Sequence, residues 1–391
     1  MLKFSYCSLT LILFGKNYIQ GMKFKQFIGQ VHLWLGLVVG IPFFLVALSG
    51  AIYTWEPEMA HLIYRQSVEP QNQPFVSASA LKATLDHEHP DLDLRTVLFR
   101  DETKAAQVLL YGRSTYFHAF LNPYTGDLIH LQDMRQGILH YLKILHRNLL
   151  LGDIGREIVH WVTLLFLIMM ITGIVLWWPT RKSQRKQKLT IKWTASPKRL
   201  NYDLHNVLGF YMTWIAIFSV ITGLFWGFEV VQDTLKVVTQ ENKSVYDTLQ
   251  SDTLYVGESG VKWTLIDSLA TVFQHQYPAK FVRVSNPHQK AEPIRVVLIE
   301  SDRLVYNTNH YYFDRYTGEQ LRGNFEYGLY SEASTFRTLN GLVYDAHFGT
   351  IWGLPGRLLV FFSSLVAASL PITGFLVWLH RRKKYEKSQS T

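Results

Sequence analysis

Apolar residues are concentrated in four long runs, and polar residues fill the stretches between them. The runs cover residues 28–55, 158–178, 207–228 and 357–379. Each run has about the 20 residues that a helix needs to cross a bilayer. Tryptophans mark the ends of the runs, as in the aromatic belts of membrane proteins, at Trp55, Trp177, Trp178, Trp226 and Trp378. The pattern therefore predicts four transmembrane helices.

Basic residues flank these runs unevenly. Segments 1–28, 179–200 and 380–391 hold 4, 8 and 5 Lys and Arg residues against a single acid, whereas the whole chain has a formal net charge of only +9. By the positive-inside rule these segments, and with them both termini, are cytoplasmic. The basic residues are therefore expected to set the topology and to contact anionic lipid. This explanation of the positive charge argues against a nucleic-acid partner. The two long loops, 56–145 and 229–346, are expected on the opposite side.

The chain has one cysteine among its 391 residues. That count excludes a disulfide framework, a cysteine-ligated zinc site and an iron–sulfur cluster. Cys7 lies in segment 1–21, which we interpret as a mis-assigned N-terminal extension because Met22 offers an alternative start. The sequence also has no phosphate-binding glycine loop, zinc-protease motif or covalent haem motif. Histidine remains as the residue type that can hold a redox metal.

Residue types recur at fixed offsets in two pairs of segments. His32 and His205 are each followed by glycines at +4 and +18, namely Gly36 and Gly50, and Gly209 and Gly223. His146 and His347 are each followed by Gly, Arg and Gly at +6, +10 and +27, namely Gly152, Arg156 and Gly173, and Gly353, Arg357 and Gly374. These matches predict a duplicated helix–loop–helix unit.

The two long loops also match each other. Each has a helix-like stretch, short alternating runs and a Tyr-Thr-Gly turn, which together predict a small α+β domain. The predicted fold class is thus a membrane all-α four-helix bundle with two small α+β domains outside it. The predicted order after the extension is span 22–55, domain 56–145, span 146–178 with its histidine segment, basic loop 179–200, span 201–228, domain 229–346, span 347–380 and tail 381–391.

The four matched histidines are the predicted ligands of two haems. Haem iron held between helices needs two facing neutral imidazoles, and a duplication supplies such pairs. One pair is His32 with His205 at the cytoplasmic ends of their spans, and the other is His146 with His347 near the outer ends. His160 is the alternative outer ligand, although Phe361 occupies the matching place in the fourth span.

Glycines are expected opposite each histidine pair. In antiparallel neighbours, Gly173 and Gly374 are level with the inner pair, and Gly50 and Gly223 with the outer pair, which leaves room for a flat macrocycle. Close helix packing at small residues is the alternative explanation. A further expectation concerns length. One helix running the 32 residues from His146 to Trp178 would be about 48 Å long, so we expect a break after His146.

Arg156 and Arg357 are expected at the outer mouth of the bundle. A guanidinium there can pair with a haem propionate in bidentate fashion. The alternative is an interfacial arginine that contacts lipid phosphate or water, and the sequence leaves both open.

The chain resembles the PepSY-associated transmembrane family from Met22 onward. The resemblance rests on Leu145-His146-Arg147, Gly152-x-x-Gly155-Arg156, Leu204-His205-x-x-x-Gly209 and His347-x-Gly349, on the Thr-Gly pairs of the second and fourth spans, and on the two Tyr-Thr-Gly turns. It implies a bacterial inner-membrane protein with PepSY-like periplasmic domains and two b-type haems. It further implies an oxidoreductase that takes electrons from a cytoplasmic or quinol donor and reduces a ferric siderophore or other ferric chelate.

A second interpretation is a non-enzymatic regulator or assembly partner of a peptidase or iron-uptake system. The spans would then serve as anchors, and the histidines would be interhelical contacts. A transporter fits less well, because both halves run in the same orientation and no discontinuous span bears a buried acid.

Overall fold

The computed structural model describes residues 24–241, 246–252, 263–300 and 304–389, so the predicted extension 1–21 lies outside the described residues. The helices, in chain order, are α1 (Phe24–Tyr53), α2 (Glu56–Ile63), α3 (Ala78–Glu88), α4 (Ile138–Asn148), α5 (Gly152–Trp177), α6 (Arg185–Leu189), α7 (Pro197–Asp203), α8 (Gly209–Gly227), α9 (Glu229–Val238), α10 (Trp263–Gln276), α11 (Thr335–Phe348) and α12 (Gly353–Gln389). The strands are β1 (Asp93–Phe99), β2 (Ala106–Tyr111), β3 (Tyr116–Leu121), β4 (Leu128–Asp133), β5 (Phe281–Ser285), β6 (Ile294–Ile299), β7 (Asn309–Phe313) and β8 (Gln320–Leu321).

The described chain forms two compact units. A helical unit comprises the described residues of segments 1–51, 145–227 and 359–391, and a sheet unit comprises those of segments 52–144 and 228–358. Four helices are long and apolar enough to cross a membrane, which confirms the four predicted spans: Phe24–Tyr53, Gly152–Trp177, Pro197–Gly227 and Thr350–Arg382. Only 22–33% of the most apolar stretch of each is buried within the protein. Most apolar side chains therefore face outward, as the hydrocarbon core of a bilayer requires. The protein is a membrane protein.

The chain breaks between His146 and the second span, as its length predicted. Helix α4 ends at Asn148, and Leu149, Leu150 and Gly152 all have positive φ angles, of 54°, 61° and 61°. Such angles are rare for leucine, so the local backbone is strained. His146 thus lies on its own short helix before α5. The helix that carries His347 ends in the same manner, because Gly349 and Gly353 have φ angles of 74° and 60°.

The third span is not a uniform α-helix. Between α7 and α8, residues Leu204–Leu208 form a π-helical turn that contains His205. Wide turns of this kind are rare and are frequently found at functional sites. The sequence pattern indicated only a helix here.

The sheet unit contains one eight-stranded antiparallel sheet in the order β4-β3-β2-β1-β5-β6-β7-β8. The sequence predicted two separate α+β domains, but β1 pairs with β5 from Thr96↔Ser285 to Phe99↔Val282, so the two sets of strands share one sheet. Helices α3 and α10 cover one face, where a core forms around Leu81, Phe99, Ile266 and Val284. On the other face, part of the first four strands packs against α2 and α4 through Tyr64, Phe120 and Leu139.

Candidate cofactor site

The helical unit contains a partly open cavity of about 990 Å³, which is in the size range of small-molecule and cofactor sites. All four spans contribute to its wall. Six glycines line it, at positions Gly29, Gly36, Gly40, Gly173, Gly209 and Gly374. Because glycine has no side chain, these positions widen the space between helices that otherwise pack closely.

His32 of α1 and His205 of the π-helical turn both line this cavity and lie close together. Their ring centres are 6.4 Å apart, and the ring planes are nearly perpendicular, at 82°. In a metal site with two imidazole ligands, each metal–nitrogen bond is about 2 Å long and each nitrogen lies roughly 1 Å from its ring centre. The two ring centres are then about 6 Å apart. The spacing therefore fits one metal ion held between the two imidazoles.

The outward nitrogen of each ring is fixed by a threonine. His32 Nδ1 lies 2.9 Å from Thr172 Oγ1, and His205 Nδ1 lies 2.9 Å from Thr373 Oγ1. Each hydroxyl donates its own proton to a carbonyl of its helix, such as Met169, so it accepts the proton from Nδ1. The Nε2 atoms then carry the lone pairs. Metal-ligating histidines are oriented by this kind of second hydrogen bond.

The two glycines predicted opposite the inner pair lie beside it. A Cβ atom at Gly173 would be 3.4 Å from His32 Cε1, and one at Gly374 would be 3.0 Å from His205 Cε1. Both positions are level with the histidines, as predicted. The contact at Gly374 is the tighter one, and alanine there would press on the imidazole.

Two basic residues border the cavity at one end. Lys25, whose Nζ donates to the Trp178 carbonyl at 3.1 Å, and Arg381 both line it. They belong to basic segments that the sequence assigned only to topology. The sequence contained the signal for this placement. Lys25 lies seven residues before His32, and Arg381 lies seven residues after Gly374.

His146 of α4 has a comparable setting elsewhere in the helical unit. Its Nδ1 donates to the Val46 carbonyl at 2.8 Å, and burial lowers its pKa. The ring packs directly on α1, because a Cβ at Gly50 would be 2.7 Å from His146 Cε1. Gly50 is therefore level with His146, and the neutral, Nδ1-protonated imidazole is the form that binds a metal through Nε2.

The structure also describes the surroundings of the other predicted outer residues. His347 belongs to the sheet unit and lies in the last turn of α11, with its ring edge-on to Phe348 at 5.7 Å, so its pairing with His146 stays a prediction. Gly223 lies beside Thr163, because a Cβ atom at position 223 would be 3.3 Å from Thr163 Cγ2. The alternative ligand, His160, packs on Gly227 and lies 3.7 Å from Glu157.

The two matched arginines have different environments. Arg156 is half exposed and lies 3.4 Å from Asp153 in the first turn of α5, so it stays a candidate for an interfacial or propionate contact. Arg357 is only 1% exposed, and its guanidinium is bound by Glu58 and the Thr54 carbonyl. Those contacts assign Arg357 a structural role in place of the propionate contact.

Comparison with family models identifies the chain's family. A family model described as the PepSY-associated TM region matches residues 30–381, which is about nine-tenths of the chain. None of the curated proteins matches the chain.

Proposed function

The chain belongs to the PepSY-associated transmembrane family, and we propose that it is a b-type di-haem protein of the bacterial inner membrane. In this proposal electrons pass from a cytoplasmic or quinol donor to the periplasm, where they reduce a ferric siderophore. The observation that carries the proposal is the inner pair, in which His32 and His205 lie 6.4 Å apart with each Nδ1 bound to a threonine hydroxyl.

The inner site fits haem in several respects. His32 and His205 supply the two neutral imidazoles of a bis-histidine iron. Gly173 and Gly374 leave room for the two imidazoles themselves, because a Cβ atom at these positions would lie 3.4 Å from His32 Cε1 and 3.0 Å from His205 Cε1. Lys25 and Arg381 line the same cavity, and cations there suit the carboxylates of the macrocycle. His146 supports the second site, with His347 or His160 as its partner.

Bound haem supplies a one-electron carrier, and the protein tunes it. The hydrogen bonds to Thr172 and Thr373 raise the basicity of the ligating imidazoles, which favours the oxidised iron. The apolar cavity wall, including the stacked Phe43 and Phe166 rings at 3.8 Å, disfavours the additional positive charge of that oxidised state. No acid–base residue is needed for electron transfer, and we assign none.

Reduction has a direct chemical consequence for an iron chelate. Hard oxygen ligands hold Fe(III) strongly and Fe(II) far less well, so reduction releases the metal. The basic segments support an orientation with both termini in the cytoplasm and the sheet unit in the periplasm. The matched offsets and the mirrored strand order support a duplicated unit, with two PepSY-like sets of strands joined in one sheet.

A pyridine haemochrome assay on the purified full-length protein tests the proposal. We expect a b-type spectrum with two haems per chain. His32→Ala and His205→Ala should each remove one haem, and the double variant should remove no more than either single variant. His275→Ala changes an exposed histidine of α10 and should retain both. A colourless wild-type protein would refute the proposal and favour the regulator.

A further inference from the structure

One face of the sheet carries an unusual set of basic side chains. We call it the basic face and define it by His118, Arg283, Arg295, His310 and Arg337. The register places the strand residues on one side: Arg283 pairs with Val297, and Val297 pairs with His310. Directly opposed residues share a face, and so do residues two apart along a strand, which adds Arg295.

The remaining two members lie on the same side. His118 pairs with Leu109, which pairs with Thr96, which in turn pairs with Ser285, two residues after Arg283. Arg337 of α11 donates to the Gly328 carbonyl at 2.7 Å, and the His310 backbone N–H donates to the same carbonyl. The guanidinium of Arg337 is therefore beside the end of the row that holds His310.

The charged groups that shift the pKa of three members of this face are basic. The pKa of His118 is lowered to about 4 by burial and by Arg283, Arg100 and Lys143. The pKa of His310 is lowered to about 3 by burial and by Arg295, Arg337 and Arg283. Burial and Arg295 also lower the pKa of Arg283. Within the described ranges, no carboxylate contributes to any of these three shifts.

Such an arrangement is unfavourable in the absence of an anion. A desolvated guanidinium needs a counter-charge, and like charges at close range repel each other. One imidazole also has an unused buried atom, because His310 Nδ1 has no hydrogen-bond partner among the described residues. A bound ligand with negatively charged oxygen atoms would supply the counter-charge for the guanidinium groups and a hydrogen-bond partner for His310 Nδ1.

The fold itself does not require this charge. His118 of β3 pairs with Leu109 of β2. The side-chain amide of Gln107, two residues before Leu109 in the same strand, donates to His118 Nδ1 at 2.8 Å. Val297 is the partner of His310, and two residues before it stands Arg295. The first set of strands thus satisfies its histidine with a neutral amide in the position where the second set has an exposed guanidinium. A function that uses the charge explains the difference.

We propose that the basic face binds the oxygen-rich, negatively charged shell of a small carboxylate-type ferric chelate, in preference to a neutral hydroxamate chelate. Arg295 is exposed and Tyr327, which contacts His310 and Arg337, is 48% exposed, so the face is open to solvent at this side. Guanidinium groups bind carboxylates in bidentate fashion. The iron in this assignment rests on the proposed function, whereas the anion site does not.

Equilibrium binding to the purified full-length protein tests the inference. The probes are ferric citrate, iron-free citrate and a neutral ferric trihydroxamate, with tyrosine and tryptophan fluorescence as the signal. We expect ferric citrate to bind more tightly than the neutral chelate, and to weaken about tenfold in Arg283→Gln and in Arg295→Gln. Arg113→Gln, an exposed arginine of the β2–β3 turn, should bind as wild type.

The inference is overturned if the neutral chelate binds at least as tightly as ferric citrate. It is also overturned if Arg295→Gln, which changes an exposed side chain, leaves the affinity for ferric citrate unchanged. Binding of iron-free citrate alone overturns the assignment of a ferric ligand. A haem spectrum of the same preparation separates the two proposals. Two haems with no citrate binding refute only the basic face, and arginine-dependent binding by a colourless protein refutes only the reductase.

Discussion

Arg357 forms a two-pronged ion pair with Glu58, in which each Nη atom lies 2.6 Å from a different carboxylate oxygen. The guanidinium also donates to the Thr54 carbonyl and lies over the Trp55 ring, 4.7 Å from its centre. These contacts join the start of α12 to the α1–α2 junction. The sequence match between Arg156 and Arg357 therefore does not extend to their environments.

Removing one partner of this ion pair should destabilise the sheet unit. Glu58→Gln leaves the Arg357 cation buried without its counter-charge; because the Glu58 side chain is itself 35% exposed, we expect a cost of about 2 kcal/mol, below the value for a fully buried pair. We expect a clear drop in the thermal unfolding temperature of the full-length protein. Asp153→Asn, which removes the exposed partner of Arg156, is the matched control and should change stability by less than about 1 kcal/mol. Equal effects of the two variants would contradict the structural role of Arg357.

The threonine contacts of the inner histidines give a second prediction. Thr373→Val keeps the side-chain volume but removes the acceptor of the His205 Nδ1 proton, and loss of such a contact typically weakens metal binding about 10- to 100-fold. We expect lower haem content and a shifted reduction potential. Thr213→Val is the control, since Thr213 lines the same cavity but its hydroxyl donates to the Gly209 carbonyl. Identical spectra for both variants would show that Thr373 does not orient a ligand.

Much of the helical unit was predictable from residue order. Hydropathy gave the four spans, and fixed offsets placed Gly173 beside His32 and Gly374 beside His205. The length of the stretch after His146 predicted the chain break. These features follow from local periodicity and from helix rise, which the sequence contains directly.

The features that sequence reasoning missed depend on pairing at long range. The two sets of strands are joined because β1 pairs with β5. The alternation of side chains within a strand does not indicate which other strand it pairs with. The binding of Arg357 by Glu58 joins residues 299 apart in the chain. The π-helical turn at His205 keeps a helical hydropathy pattern, so nothing in the periodicity marks it.

Close packing of His146 against Gly50 gives a third prediction. A methyl group at Gly50 would lie 2.7 Å from His146 Cε1, so Gly50→Ala must displace the imidazole and its contact with the Val46 carbonyl. We expect loss of the outer haem while the inner one is retained. Gly29→Ala, on the same helix, would meet nothing nearer than Leu176 at 3.9 Å and should retain both haems. Full haem content in Gly50→Ala would rule out His146 as a ligand.

The half-buried imidazole of His118 makes the stability of the sheet unit depend on pH. Its pKa is about 4 in the folded protein and about 6.5 when unfolded, so below pH 6.5 the unfolded chain takes up a proton that the folded chain does not. The free energy of unfolding should therefore fall as the pH falls from 6.5 to about 4, by about 3 kcal/mol for this residue.

A glutamine at position 118 cannot be protonated, so His118→Gln should flatten this pH dependence. We expect its unfolding temperature to drop less than that of the wild type between pH 7 and pH 4.5, whatever its stability at neutral pH. Part of the slope remains, because burial also lowers the pKa of His310 to about 3 and hydrogen bonds lower the pKa of Asp133 and Asp314. His275→Gln removes an exposed histidine and should follow the wild-type curve. If His118→Gln follows that curve as well, the neutral state of His118 is not what couples folding to pH.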